Sequence, residues 1–192
     1  MKLLRAADYK TMPWKNGMGS TTEIAISPAD ATLDAFDWRV SMARVASDGP
    51  FSSFAAIDRT LLVLEGNGID LSVAARASVR VDRDTIHSFP GDQPTAARLV
   101  AGPITDLNVM TRRDVLSHHV QRVRIIRRHD YVIDTQTIIL VEHGQLDVIS
   151  PTSTMLLDTH DAVIADPSVK MLTLKPSVDT CIIAIQLRSR AA

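Results

Sequence analysis

Apolar residues along the chain occur mostly in runs of four to seven, alternating with polar residues or clustering, and no helical period is sustained. Valine, isoleucine, leucine and threonine dominate these runs, which favours strands over helices. Turn-forming glycines and prolines separate the runs, so the pattern predicts an all-β sandwich, jelly roll or barrel. The predicted strands cover residues 22–26, 38–45, 59–64, 68–73, 98–100, 107–110, 122–127, 137–142, 145–150, 162–165, 169–174 and 180–187.

One hairpin pattern occurs twice in the chain. Residues 62–71 (LVLEGNGIDL) are echoed by residues 139–148 (ILVEHGQLDV), at an offset of 77 residues. A repeat of this length, flanked by strands, predicts a duplicated β unit. The alternative is a chance match between two hairpins. The predicted halves are residues 1–115 and 116–192.

The composition is that of a soluble globular protein. The chain has 192 residues, of which 45% are apolar and 22% charged, and its formal net charge of −1 gives no overall field to attract polyanions. Its single cysteine, Cys181, lies in an apolar run and predicts a buried thiol in a reducing compartment. Arg5 and Asp8 interrupt the stretch that a secretory signal needs to be apolar. We therefore expect a cytoplasmic protein with no membrane partner.

The repeated hairpin resembles the cupin jelly roll, and its two copies resemble a bicupin. In metal-binding cupins, the strand that leads into Val-Leu-x-Gly carries a glutamate four residues ahead of the valine, and two histidines lie four and six residues ahead of that glutamate. The matching positions in this chain are Ser53, Ala55 and Arg59 in the first half, and Asp130, Val132 and Gln136 in the second. A transition metal needs imidazole and carboxylate ligands. The resemblance therefore implies that the usual metal site is lost, and we expect no metal and no other cofactor.

Six segments, taken in order along the chain, closely resemble motifs of the HutD/Ves family. They are residues 13–24 (PWKNGMGSTTEI), 36–43 (FDWRVSMA), 46–52 (ASDGPFS), 58–66 (DRTLLVLEG), 89–92 (FPGD) and 102–113 (GPITDLNVMTRR). This resemblance implies a bacterial bicupin linked with histidine utilisation, for which a ligand-sensing or regulatory role is proposed. It implies no established reaction.

Two arginines are candidates for binding an anion. Strand 38–45 alternates so that Arg39 and Ser41 lie on the face opposite Trp38. If Trp38 packs in the core, a guanidinium at the barrel mouth needs an anion to offset its desolvation. The alternative is an Arg39 on the surface. Arg59 lies where a metal cupin places its carboxylate ligand, so an inward Arg59 replaces a metal-binding anion with an anion-binding cation.

The segment 106–112 carries a second polar stripe, with Asp106, Asn108, Met110 and Arg112 on one side. An acceptor, an amide and a bidentate donor along this stripe offer hydrogen bonds to one polar ligand. The alternative is a solvated strand face, which has the same pattern. The stripe lies within the segments that resemble the HutD/Ves family, which favours a pocket.

The arm at residues 14–23 supplies the remaining candidates. They are Lys15, Asn16, Thr21 and Glu23. The two glycines of the arm permit backbone angles that bring amides near a ligand. A strand rather than a helix follows the arm, so it is unlike a phosphate-binding loop. The alternative is a structural turn followed by an edge strand.

The most basic stretch, residues 112–128, holds six arginines and two histidines against one acid, Asp114. It contains Val123 and Ile125 in a strand pattern and has no aromatic residue to stack on bases. It therefore predicts an edge strand protected by charge, and we expect no nucleic-acid partner.

Together these patterns favour a metal-independent protein that binds a small anionic metabolite bearing a carboxylate. The first half holds the pocket, and the second half is a scaffold or a surface for homodimer formation. The alternative is a metal-free enzyme, an isomerase or hydrolase, in which Glu23 or Asp106 is the base and an arginine stabilises developing negative charge. A third interpretation is a structural protein that docks a partner through the basic stretch.

Overall fold

The computed structural model describes residues 1–14 and 17–190. These residues form nineteen β-strands and two short 3₁₀ helices, and the described ranges contain no α-helix. No helix in them is long and apolar enough to cross a membrane. The strands are β1 (Lys2–Leu4), β2 (Lys10–Pro13), β3 (Gly19–Ser27), β4 (Trp38–Val45), β5 (Gly49–Pro50), β6 (Ile57–Glu65), β7 (Ile69–Val73), β8 (Val79–Val81), β9 (Ile86–Pro90), β10 (Thr95–Leu99), β11 (Ile104–Arg112), β12 (Leu116–Ile125), β13 (His129–Val132), β14 (Gln136–His143), β15 (Leu146–Ile149), β16 (Thr154–Leu157), β17 (Ala162–Ala165), β18 (Met171–Pro176) and β19 (Thr180–Ser189). The 3₁₀ helices are Ala6–Asp8 and Pro167–Val169.

The chain forms two compact units. The N-terminal unit is Lys10–Ser117 together with the segment from Ser189, and the C-terminal unit is Met1–Tyr9 with His118–Arg188. The sequence predicts residues 1–9 as part of the first half. The structure places them in the C-terminal unit instead, because β1 pairs antiparallel with β17.

The N-terminal unit contains a six-stranded sheet, in the order β2-β3-β4-β11-β6-β9, and a four-stranded sheet, in the order β5-β10-β7-β8. Inward residues of both sheets form one apolar cluster, in which Leu61, Val63 and Ile69 have no exposed surface. Each such side chain stabilises the fold by roughly 1.5–3 kcal/mol through its removal from water. The six-stranded sheet also carries the candidate site described below.

The C-terminal unit repeats this pairing. Its five-stranded sheet has the order β1-β17-β14-β19-β12, and its four-stranded sheet has the order β13-β18-β15-β16. The run β9-β6-β11-β4 in the first unit corresponds to β17-β14-β19-β12 in the second. Strands β7 and β15 begin at Ile69 and Leu146, 77 residues apart as in the sequence repeat. The all-β prediction is confirmed, and the repeated order is compatible with two jelly rolls.

Twelve of the strands overlap those predicted from the sequence, and β4 has the predicted bounds. The seven strands that the sequence did not predict are β1, β2, β5, β8, β9, β13 and β16, each at most five residues long. These strands have at most one buried residue each, so no buried apolar run marks them. Strands β15 and β17, only four residues long, have at least two buried residues each and were predicted.

Candidate functional site

A cavity of about 410 Å³ lies in the N-terminal unit. Its polar lining consists mainly of side chains from β3, β4, β6 and β11. These are Thr21, Arg39, Ser41, Arg59, Asp106 and Asn108. Trp14, Phe51 and Phe54 contribute aromatic surface, and residues 47–52 form a further part of the wall. The cavity therefore combines cations, two carboxyl groups (Asp48 and Asp106) and apolar rings.

Strand register brings these polar residues together. On β11, Met110 lies opposite Arg39 of β4 and Arg59 of β6, and Asn108 lies opposite Ser41 of β4. Alternate residues of a strand share a face, so Arg39, Ser41, Arg59, Asn108 and Met110 lie on one face of the six-stranded sheet. Trp38 is buried on the other face of β4, and Arg39 is 5% exposed. The structure thus contradicts the alternative of a surface Arg39.

Arg59 is a buried cation with neutral hydrogen-bond partners. Its Nη2 donates to Oδ1 of Asn108, and its Nη1 donates to the backbone oxygen of Ser52 at 3.3 Å. Its Nε is buried with no hydrogen-bond partner in the described structure. Burial lowers the pKa of Arg59 to about 10. The charge of Asp106 acts to raise this pKa, and the charge of Arg39 acts to lower it. Arg59 is therefore a cation at neutral pH.

Three aromatic rings surround the Arg59 guanidinium. Its central carbon lies 5.0 Å from the ring centre of Phe51, 5.8 Å from that of Phe54 and 5.2 Å from that of Phe89. Ring faces attract a cation at such distances, by about 0.5–2 kcal/mol each. They hold the guanidinium in place without neutralising its charge. We refer to these three phenylalanines as the aromatic cage.

Asp106 is completely buried in the cavity wall. Its Oδ1 accepts a hydrogen bond of 2.7 Å from Nδ2 of Asn108, whereas its Oδ2 has no hydrogen-bond partner in the described structure. Burial raises the pKa of Asp106 to about 7, although Arg59, the Ala43 backbone and Asn108 act in the opposite direction. Asp106 can therefore exchange a proton near neutral pH.

Arg39 already has a carboxylate partner. Its Nε donates to Oε2 of Glu23 at 2.8 Å, and its Nη1 donates to Oγ of Ser41 at 3.3 Å. The Glu23 side chain is 23% exposed and lies beside the cavity rather than on its described lining. Glu23 is therefore engaged by Arg39, and Asp106 is better placed than Glu23 to act on a molecule in the cavity.

The arm contributes Trp14 and Thr21 to the cavity, and Nε1 of Trp14 donates to Oγ1 of Thr21 at 2.8 Å. A Cβ on Gly19 would lie 2.7 Å from the Trp14 ring, so a glycine is needed for the ring to pack there. Lys15 and Asn16, also proposed from the sequence, lie outside the described residues.

The sequence analysis gave no role to Trp14 or to the aromatic cage. Phe51 and Phe54 precede β6, and Phe89 lies on β9 directly opposite Arg59. The only sequence signal was the concentration of the chain's four phenylalanines within family-like segments or next to them. Their convergence on one guanidinium depends on how distant strands pair.

At the positions that match cupin metal ligands, Ser53 and Ala55 are exposed, and Arg59 enters the cavity. Asp130 and Val132 are exposed in the C-terminal unit. The presence of Arg59 in the cavity fits an anion better than a metal cation, because like charges repel.

A different cluster, which the sequence analysis did not identify, lies in the C-terminal unit. Potential ligand atoms of Glu142, His143 and Cys181 all lie within 4.8 Å of one another. The Glu142 carboxylate accepts hydrogen bonds from Nε and Nη2 of Arg122, at 2.8 and 3.0 Å. A metal would have to compete with this ion pair for Glu142.

Several arginines of the basic stretch are engaged in ion pairs. Arg113 contacts Asp58 at 2.7 Å and Asp92 at 3.0 Å. Arg124 donates from Nε to Asp179 at 2.9 Å. Strand β12 lies at one end of its sheet, as expected for a charged edge strand. These contacts give the arginines a structural role within their own units.

Comparison with solved structures shows which known fold the chain resembles. A cupin 2 conserved barrel domain protein from Leptotrichia buccalis superposes with a TM-score of 0.61, at 7% identity and over 92% of each chain. At this identity the likeness concerns the fold alone. It supports the predicted cupin-like fold.

Two curated relatives match part of the chain. An uncharacterised 21.2 kDa protein in the hutC 3' region of Pseudomonas putida is 39% identical over 110 residues, covering 57% of each protein. Protein Ves from Citrobacter koseri is 40% identical over 111 residues, covering 56% of the chain and 57% of the relative. The chain thus spans a little over half the length of the curated relatives it matches.

The family itself is shown by two findings of wider coverage. The structure of HutD from Pseudomonas fluorescens SBW25 is 30% identical, with a TM-score of 0.79 over 99% of each chain. The HutD family model matches residues 6–182. The chain belongs to the HutD family.

Proposed function

We propose that the cavity of the N-terminal unit binds a small metabolite through its carboxylate, without a metal, and that the protein acts as a sensor or regulator linked to histidine utilisation. The observation that carries the proposal is the environment of the Arg59 side chain. This side chain is a buried guanidinium whose hydrogen-bond acceptors in the described structure, Asn108 and Ser52, are neutral.

Removing a cation from water costs several kcal/mol unless a counter-charge compensates it. The aromatic cage, two neutral oxygens and the nearby charge of Asp106 supply part of that compensation. A ligand carboxylate would supply the rest, since a guanidinium presents several donors in a plane that matches the two carboxylate oxygens. Arg39, already paired with Glu23, adds positive potential on the same sheet face.

The link to histidine utilisation rests on the relatives. One is described by its place in the hutC 3' region, and a full-length structural relative is named HutD.

A binding role needs a ligand held by donors and a cavity of metabolite size. Small-molecule sites commonly measure about 300–1,000 Å³, and the cavity falls in that range.

Asp106 supports a second candidate function, proton-transfer catalysis on a small carboxylate. A general acid or base works best when its pKa lies near the working pH, and burial brings the pKa of Asp106 to about 7. Arg59 would then stabilise negative charge that develops on the substrate. This enzyme would share the carboxylate subsite with the sensor.

A ligand screen followed over time separates the two functions. We expect small mono- and dicarboxylates to raise the melting temperature of the protein, and matched amides and amines to leave it unchanged. NMR spectra of each hit, recorded with the protein over hours, then show an unchanged ligand for the sensor and a product for the enzyme. A screen in which carboxylates stabilise the protein no better than their amides would contradict both.

A further inference from the structure

The unpartnered oxygen of Asp106 marks a second recognition point in the same cavity. Oδ2 of Asp106 is buried in the wall and has no hydrogen-bond partner in the described structure, while Oδ1 accepts from Asn108. Buried polar atoms are almost always hydrogen-bonded, so an exception calls for a partner from outside the chain. A carboxylate oxygen accepts hydrogen bonds, so that partner must supply an N–H or O–H group.

We propose that the cavity selects carboxylate ligands that also carry an N–H or O–H donor, with the carboxylate at Arg59 and the donor at Oδ2 of Asp106. This inference rests on the proposed function, because it assumes that Arg59 binds the carboxylate. It adds the chemical class of the ligand: an acid with a hydrogen-bond donor at its other end.

Asn108 sets the distance between the two points. Its Oδ1 accepts from Arg59 and its Nδ2 donates to Asp106, so a single amide group joins the cation to the acid. One amide and two hydrogen bonds span roughly 8 Å at most, which sets an upper limit on the separation of the ligand's carboxylate and donor. A five-membered ring that carries both groups lies within this limit.

The groups that face Asp106 make this recognition depend on pH. They are Arg59 from β6, the Ala43 backbone from β4 and the Asn108 amide from β11 itself. The charge of Arg39 in turn lowers the pKa of Arg59. Above neutral pH the Asp106 carboxyl is ionised and can only accept. Below it, the protonated acid can donate to a ligand oxygen instead. Preference for a donor ligand should therefore increase with pH.

Pyrrole-3-carboxylate and furan-3-carboxylate test the inference. They share ring size and carboxylate, but the pyrrole N–H is a donor where the furan oxygen is an acceptor. At pH 8.5 we expect calorimetry to show pyrrole-3-carboxylate binding roughly ten- to a hundred-fold tighter, as for a hydrogen bond to a charged group. Asp106→Asn should abolish or reverse this preference, because the new amide can present its own N–H to the ligand.

Asp48→Asn is the matched control. Asp48 also lines the cavity, but its Oδ1 already accepts from the Leu99 backbone at 2.7 Å. This variant loses the same charge and should keep the preference for pyrrole. The wild-type protein provides a test that does not depend on folding of a variant. Its preference should decrease when the pH is lowered from 8.5 to 5.5.

The outcomes separate this inference from the proposed function. Equal binding of both acids by the wild-type protein at pH 8.5 would overturn the donor subsite and leave the carboxylate site standing. A preference that survives in Asp106→Asn would also overturn it. Failure of both acids to bind would contradict the carboxylate site, and the donor subsite with it.

Discussion

Arg59 on β6 donates a hydrogen bond to Asn108 on β11, and both side chains are 5% exposed. The two residues are 49 positions apart in the chain, and antiparallel pairing of β6 with β11 brings them together. The other end of the Asn108 amide donates to Asp106. A buried cation and a buried acid are thus held at a fixed spacing by one neutral side chain.

The raised pKa of Asp106 predicts a specific dependence of stability on pH. Its folded-state pKa, about 7, exceeds its ordinary value of 3.8, so the folded protein binds the Asp106 proton more tightly than the unfolded chain. The contribution of Asp106 to stability is therefore present at low pH and lost as the pH rises from about 4 to about 7. At about 1.4 kcal/mol per pKa unit, the loss is on the order of 4 kcal/mol.

Asp106→Asn isolates this effect from the other carboxyl groups. We expect the variant to gain stability relative to the wild-type protein between pH 4 and pH 8, by up to the same amount. Urea unfolding at several pH values measures the difference. Parallel stability curves for the two proteins across this interval would show that Asp106 titrates as an ordinary carboxyl group.

Gly19 is predicted to be intolerant of a side chain. A Cβ there would clash with the backbone oxygen of Arg44 and would lie 2.7 Å from the Trp14 ring. Gly19→Ala must therefore shift the arm, and we expect it to lower the free energy of unfolding by about 1–3 kcal/mol and to change the tryptophan fluorescence. Gly49→Ala is the control, since no atom of residues 1–14 and 17–190, apart from Gly49 and its two chain neighbours, lies within 4 Å of its added Cβ. Equal effects of the two substitutions would contradict this packing.

The purified protein is predicted to carry no stoichiometric transition metal. Arg59 stands at the cupin ligand position, and Arg122 engages Glu142 in the Glu142, His143 and Cys181 cluster. Elemental analysis after mild chelation tests this. One firmly bound zinc, iron, nickel or manganese per chain would refute the prediction, and loss of that metal in Cys181→Ser would assign it to the cluster.

Alternation along single strands was enough to predict part of the site. It placed Arg39 and Ser41 on one face of β4, and Asp106, Asn108 and Met110 on one face of β11, and these residues all line the cavity. Arg112, predicted in the same stripe, instead donates to the backbone oxygen of Phe36 at 3.1 Å. Their assignment as ligand-binding residues remains a prediction. The period of two is a local property, so it can be read from a few consecutive residues.

Contacts between distant strands could not be predicted in this way. Alternation gives the face of a side chain but does not give its cross-strand neighbour, which depends on the register of pairing. The Arg59 hydrogen bond to Asn108 and the aromatic cage follow from that register. The same limit explains why the sequence did not place β1 in the C-terminal unit. Its pairing partner, β17, lies about 160 residues further along the chain.

The central claim is that Arg59 binds the carboxylate of a small metabolite, and calorimetric titration of pyrrole-3-carboxylate tests it most directly. We expect Arg59→Ala to weaken binding about ten- to a hundred-fold, and Arg59→Lys to recover only part of the loss, because an ammonium group cannot form two parallel bonds to a carboxylate. Arg44→Ala, an exposed position on the other face of β4, should bind as the wild-type protein does. A folded Arg39→Ala/Arg59→Ala double variant that binds the acid as tightly as the wild-type protein would contradict the claim.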